Sequence, residues 1–134
     1  MFELGGPAGY YSVNYSFTAV QMVSSAIEGR IGYSSYRIFG IDGKFCPDII
    51  VPFGLEYRHT KFSRLSAGAG LTVSGIQRYL GNDLKMDWRI AGFESLTYSF
   101  VMKEHFSAKL SAYLLNEPQK PLRAWGGLAL TYLF

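Results

Sequence analysis

Along most of the chain large apolar residues alternate with small or polar ones, in segments of about ten bounded by turn-forming residues, the period-two signature of strands with one apolar and one polar face. Tyr11, Val13, Tyr15 and Phe17 alternate with Ser12, Asn14 and Ser16, and Ile27, Gly29, Ile31 and Tyr33 with Glu28, Arg30, Gly32 and Ser34. Ile49, Val51, Phe53, Leu55 and Tyr57 oppose Pro52, Gly54, Glu56 and Arg58, and Leu65, Ala67, Ala69, Leu71 and Val73 oppose Ser66, Gly68, Gly70, Thr72 and Ser74. Three further segments, Ile90 to Phe100, Phe106 to Leu115 and Trp125 to Phe134, continue the pattern. A short strand from Phe2 to Gly5, hairpinned through the turn signal Gly6-Pro7-Ala8-Gly9, brings the count to about eight.

Composition decides what the apolar faces meet. Hydrophobic residues make up 49% of the 134 residues, aromatic residues 16% and charged residues only 17%, below the usual quarter for a soluble domain. The apolar runs are short, such as Ile49 to Phe53, far below the ~20 residues of a membrane-spanning helix. These features predict an all-β, up-and-down antiparallel transmembrane β-barrel of about eight strands, with residues 1–134 as a single domain. No secretory leader is legible at Met1 to Gly6, which is compatible with export after cleavage.

Connection lengths alternate as in membrane barrels, which have short periplasmic turns and longer extracellular loops. His59 to Phe62 and Val101 to Glu104 read as tight turns; Phe39 to Pro47, Ile76 to Lys85 and Asn116 to Leu122 read as longer loops. With the carboxyl end periplasmic, Phe17, Tyr57, Phe62, Tyr98, Phe100, Phe106, Tyr132 and Phe134 gather at the periplasmic ends as an aromatic girdle. Tyr11, Tyr33, Trp88 and Trp125 are the candidates for the outer girdle.

The net charge of +3 comes from Lys and Arg spread along the chain without a basic cluster, so nucleic acid is not an expected partner. On the polar faces Glu28, Arg30, Glu56, Arg58, Arg89 and Lys109 are expected to point into a narrow lumen and pair there, packing the interior; a proton or ion path is the functional alternative. Glu94 is out of keeping, because it falls in phase with the outward Ile90, Leu96 and Tyr98. A bulge beside Gly92, or a place at the outer interface, would relieve it.

The final segment, Trp125 to Phe134, ends on an aromatic residue with Gly126, Leu128, Leu130 and Tyr132 at every second position before Phe134. It resembles the carboxyl-terminal assembly signal of outer-membrane barrels, and the resemblance implies recognition by the barrel-assembly machinery. The whole chain is similar to small outer-membrane β-barrel proteins of Gram-negative bacteria, in which a strand ending Glu-Leu-Gly-Gly, here Glu3 to Gly6, leads into Tyr-Ser-x-Asn-Tyr, here Tyr11 to Tyr15. The resemblance implies fold and location, with outer-membrane lipid as surroundings, but no single activity.

The resulting expectation is an integral outer-membrane protein without enzymatic activity or cofactor, acting through its extracellular loops or as a small subunit of an envelope complex. Candidate loop contacts are Lys44, Phe45, Arg78, Tyr79, Lys85, Glu117 and Lys120, a mixed-charge and aromatic set suited to other envelope proteins or glycans. The rival is a soluble lipocalin-like barrel carrying an apolar ligand, with the apolar face inward. A third class is a lipid-modifying enzyme of the outer membrane, invited by His105-Phe106-Ser107. Neither nearby acid suits the orienting role, since Glu117 lies past the far end of the strand and Glu104, though closer, is in the turn on the expected periplasmic side, where such enzymes do not work. Cys46 is alone, and no Cys/His grouping has metal-ligand spacing.

Overall fold

The alternating segments form eight strands: β1 Phe2–Gly5, β2 Tyr11–Gln21, β3 Ser25–Tyr33, β4 Ile49–His59, β5 Leu65–Leu80, β6 Asp83–Lys103, β7 Phe106–Asn116 and β8 Arg123–Tyr132. The computed structural model describes residues 1–9, 11–35, 47–59, 64–80, 83–103, 105–118 and 122–132. Each strand pairs antiparallel with its chain neighbour, and β1 pairs with β8, so the sheet closes into an up-and-down barrel without a free edge along its wall. The closing register runs from Phe2↔Leu130 to Gly5↔Gly127. Closure satisfies the ladder hydrogen bonds that an open sheet would leave at its two edges.

Because side chains alternate across a strand, closure sorts them into a lumen set and an outward set. Outward positions are exposed and apolar: Val13, Tyr15, Ile31, Phe53, Leu55, Leu71, Leu96, Leu110, Leu128 and Leu130 among them. Lumen positions are buried and largely polar, including Glu3, Ser12, Asn14, Ser66, Thr72, Thr97, Ser107 and Ser111.

The barrel has two unlike ends. At the turn end, β2–β3 and β6–β7 are joined closely and an exposed aromatic collar includes Phe17, Tyr57, Tyr98, Phe100, Phe106 and Tyr132. Edge-to-face pairs order it, with ring centroids 4.6 Å apart for Tyr98 and Phe100 and 5.1 Å for Phe106 and Tyr132. Phe62 and Phe134 lie outside the described residues.

The loop end departs from the sequence reading at two places. Of Ile76 to Lys85, expected as a loop, Ile76 to Leu80 and Asp83 to Lys85 are strand: β5 and β6 pair without interruption from Leu65↔Tyr98 to Leu80↔Asp83. Gly and Asn suggest a loop here by composition, yet residues 81 and 82 alone separate the arms, and two-residue connections of Gly and Asn type favour hairpins. The hairpin overshoots its neighbours, since β4 pairs β5 only as far as Ile49↔Gly75, and β7 pairs β6 only from Gly92↔Asn116. The second departure is Trp125, which sits opposite the buried Tyr113 and therefore faces the lumen instead of joining an outer girdle.

The bulge expected beside Gly92 is absent. Register is continuous past Glu94 on both sides, as Ala69↔Glu94 and Glu94↔Leu114, and the irregularity of β6 falls between Val101 and Lys103. Glu94 is exposed on the outer face, midway along its strand between Trp88 and Phe100 and opposite Leu114, two residues before the loop end of β7.

Candidate functional site

Two charge clusters and a cavity are stacked along the lumen. The middle cluster is built on Glu3, which β1 holds inward between the outward Phe2 and Leu4, leaving it fully buried. Tyr113 of β7 donates its phenolic hydrogen to Glu3 Oε1 at 2.6 Å, and Arg30 of β3 places Nη2 3.0 Å from Glu3 Oε2. Arg30 Nη1 also donates to the Tyr113 oxygen at 3.0 Å, closing a three-residue ring across the lumen. Ser12 and Asn14 of β2 donate to Glu3 Oε2 at 3.3 and 3.4 Å. The Arg30 guanidinium lies 5.7 Å from the Tyr113 ring centre and 6.0 Å from that of Phe93, within cation–π range.

Glycine makes room for this carboxylate. Gly6 has φ +89, and a Cβ there would stand 2.6 Å from the Glu3 carboxyl carbon. The positive φ turns the chain back into the barrel, where Gly6, Pro7 and Ala8 are buried and the Pro7 carbonyl accepts a 3.1 Å hydrogen bond from Thr72. The β1–β2 turn is thus an internal shelf above the Glu3 cluster.

Toward the turn end, Glu28, Glu56, Arg58 and Lys109 form a second cluster. Arg58 Nη2 lies 2.6 Å from Glu28 Oε1, while Lys109 Nζ lies 3.9 Å from Glu28 and 3.7 Å from Glu56. Ser66 donates to the other Glu56 oxygen. Each cluster balances its own charge: Glu3 with Arg30, and two glutamates with Arg58 and Lys109. That compensation is what charges removed from water require.

Above the shelf, the loop end holds a cavity of about 490 Å³ lined by Pro7, Ala8, Ile50, Thr72, Arg89, Glu117, Arg123 and Trp125, among others. Its walls are mainly apolar with a few charged groups, the general make-up of small-molecule sites in barrel mouths.

Five of the six residues expected as an interior network, Glu28, Arg30, Glu56, Arg58 and Lys109, thus occupy the lumen in two groups. Arg89 stands apart at the mouth, 3.7 Å from Asp87, because its register partner Ser74 lies level with Ile50 at the loop end of β4, away from Glu56 and Arg58. Of the carboxyl-terminal pattern, Gly126, Leu128, Leu130 and Tyr132 face outward, and Phe134 lies outside the described residues. Of the loop candidates, Glu117 borders the cavity. Arg78, Tyr79 and Lys85 belong to the β5–β6 hairpin by backbone, but their side chains, with Lys44, Phe45, Lys120 and Cys46, lie outside the description.

Glu3 and Tyr113 are the members of the lumen cluster that composition alone does not reveal. Strict alternation does: Glu3 lies between Phe2 and Leu4, and Tyr113 is in phase with Ser107, Lys109 and Ser111. His105 is exposed at the turn end, 6.0 Å centroid to centroid from Tyr132, whereas Ser107 is buried toward the lumen. Among the described residues no group of His, Cys, Asp and Glu is placed to hold a metal ion. Comparison with protein-family models, with curated proteins and with solved structures gives no match.

Proposed function

We propose that this chain is an integral outer-membrane β-barrel of the Gram-negative envelope, non-enzymatic, that acts through its extracellular loop end or as a small subunit of an envelope complex. The observation that carries this reading is the reversed polarity of the wall, with an exposed apolar band between exposed aromatics and a charged, hydrogen-bonded lumen. Soluble monomers rarely expose contiguous apolar patches beyond roughly 300–600 Å². Here the apolar positions continue around all eight strands.

Dimensions support the same reading. β2, β4 and β7 have 11 residues each, β8 has 10 and β3 has 9, against the ~9–11 that a tilted strand needs to cross a bilayer, while β5 and β6 are longer and β1, with 4, is shorter. The surroundings would be outer-membrane lipid, and insertion would be the task of the barrel-assembly machinery. A lipocalin-like carrier would need an apolar calyx in place of the Glu3 and Lys109 clusters; only the mouth cavity favours it. The test is fractionation of cells producing the protein: it should stay with outer membranes after alkaline carbonate washing and shift in gel mobility on boiling. Recovery as a monodisperse protein in detergent-free buffer would overturn the proposal.

A further inference from the structure

On the outward face of the strands, between the two aromatic ends, Glu94 is the one charged side chain among the described residues. It makes no hydrogen bond or ion pair with another described residue. Its place is fixed by unbroken register on both sides, opposite Ala69 of β5 and Leu114 of β7. Trp88 and Phe100 stand six positions away in either direction. That is ~20 Å along the strand and ~14 Å in depth at the usual tilt. Along β6 this is midway between the two aromatic limits of the apolar face, where a bilayer would leave a carboxylate poorly solvated.

Small residues, Ala67, Ala69, Gly92 and Ala112, make up half of the outward ring about Glu94, with Leu71, Leu96, Leu114 and Asn116 as the rest. Small side chains let another backbone approach closely inside a membrane.

We propose that this face docks a second membrane-embedded chain, different from this one, which presents a lysine or arginine to Glu94 from an otherwise apolar surface. The proposal rests on the membrane reading above and gives the chemistry of the partner that reading implies. Charge complementarity selects the occupant. A lone carboxylate in hydrocarbon is destabilising and rarely kept without a partner, and a cation of the docked chain neutralises it. A second copy would bring two carboxylates together, because its outward belt offers no cation among the described residues.

The experiment is photocrosslinking in the native cells, with a photoreactive residue at Ala69 or Ala112 and a control at Ile31 on β3. A protein adduct is expected from the first two positions and not from Ile31, and its crosslinked peptide should contain Lys or Arg within an apolar stretch. Truncating a buried, charge-paired group weakens association steeply, so Glu94→Gln should lower the adduct yield by about tenfold or more. Glu94→Lys should abolish it, and exchanging the partner's cation for Glu should restore it.

Adducts to lipid only, adducts to a second copy, or a protein adduct indifferent to Glu94→Gln would each overturn the proposal. Membrane insertion of every variant is checked by carbonate washing and heat-modified mobility. A wild-type protein absent from the membrane overturns both this proposal and the membrane reading; an inserted barrel without a charge-dependent adduct overturns the docking proposal alone.

Discussion

Tyr113 on β7 and Glu3 on β1 meet across the lumen at 2.6 Å, although β8 separates their strands and 110 residues separate them in sequence. The bond ties the two ends of the chain through the barrel interior, in addition to the β1–β8 ladder. β1 contributes only four residues to that ladder, so the Glu3 cluster holds the seam at the weakest strand.

Removing one member should therefore loosen the seam. Tyr113→Phe leaves Glu3 without its shortest hydrogen bond and should cost ~1–3 kcal/mol. Glu3→Ala leaves Arg30 buried without its carboxylate and should cost more, ~3–5 kcal/mol. Urea unfolding in lipid vesicles measures both. Equal, negligible effects would mean that water replaces the ring of contacts.

A backbone constraint supports the same cluster. Gly6→Ala meets both an unfavourable positive φ and the Glu3 carboxyl group, so it should destabilise by more than the ~0.4–1 kcal/mol that such a change gains at a site whose conformation alanine tolerates. Gly126→Ala, on the outward face with only a contact at 4.0 Å, is the control and should be tolerated. Similar stability of the two variants would contradict the account of the internal shelf.

Face assignment has its own signature. Leu71 and Leu130 are exposed on the wall, and Leu71→Arg or Leu130→Arg should cost ~2–4 kcal/mol when the position is near the bilayer midplane. Ser74→Arg enters the mouth cavity beside Thr72 and Arg89 instead, and should escape that depth-dependent penalty. Equal costs for Leu71 and Ser74 in vesicles would refute the assignment.

The lumen should not conduct as an open pore. Arg30, Tyr113 and Phe93 fill its middle, and Phe93 meets Tyr113 edge to face at 6.0 Å. An eight-stranded barrel is just wide enough for its own side chains. Planar bilayers should show no stable, large-conductance channel, and reproducible openings would require a lumen wider than these contacts allow.

Much of this fold was legible from alternation, because the inward and outward sets differ so sharply in polarity. Glu28, Arg30, Glu56, Arg58 and Lys109 could be assigned to the lumen from phase alone. Which of them pair could not, because pairing across a closed barrel depends on strand stagger. That stagger sends Arg89 to the mouth, and sets Glu3 against Tyr113, a residue whose aromatic type suggests the outer wall. The pairing of Ile76 to Leu80 with Asp83 to Lys85 was obscured for another reason: Gly, Asn and Asp in this stretch are as common in long loops as between two closely spaced strands. Glu94 was legible as an anomaly, but only continuous register removes the bulge that would have explained it.

The central claim, that the wall faces lipid and the lumen does not, can be read from the two tryptophans. Trp88 pairs with Gly75 on the outward face, whereas Trp125 pairs with the buried Tyr113 and lines the mouth cavity. The measurement is fluorescence quenching by lipids brominated at shallow acyl positions, in vesicles holding the refolded protein with one tryptophan replaced. Trp125→Phe, which leaves Trp88, should be strongly quenched, and Trp88→Phe, which leaves Trp125, should be nearly unaffected. Equal quenching of the two, or none of either, would contradict the account.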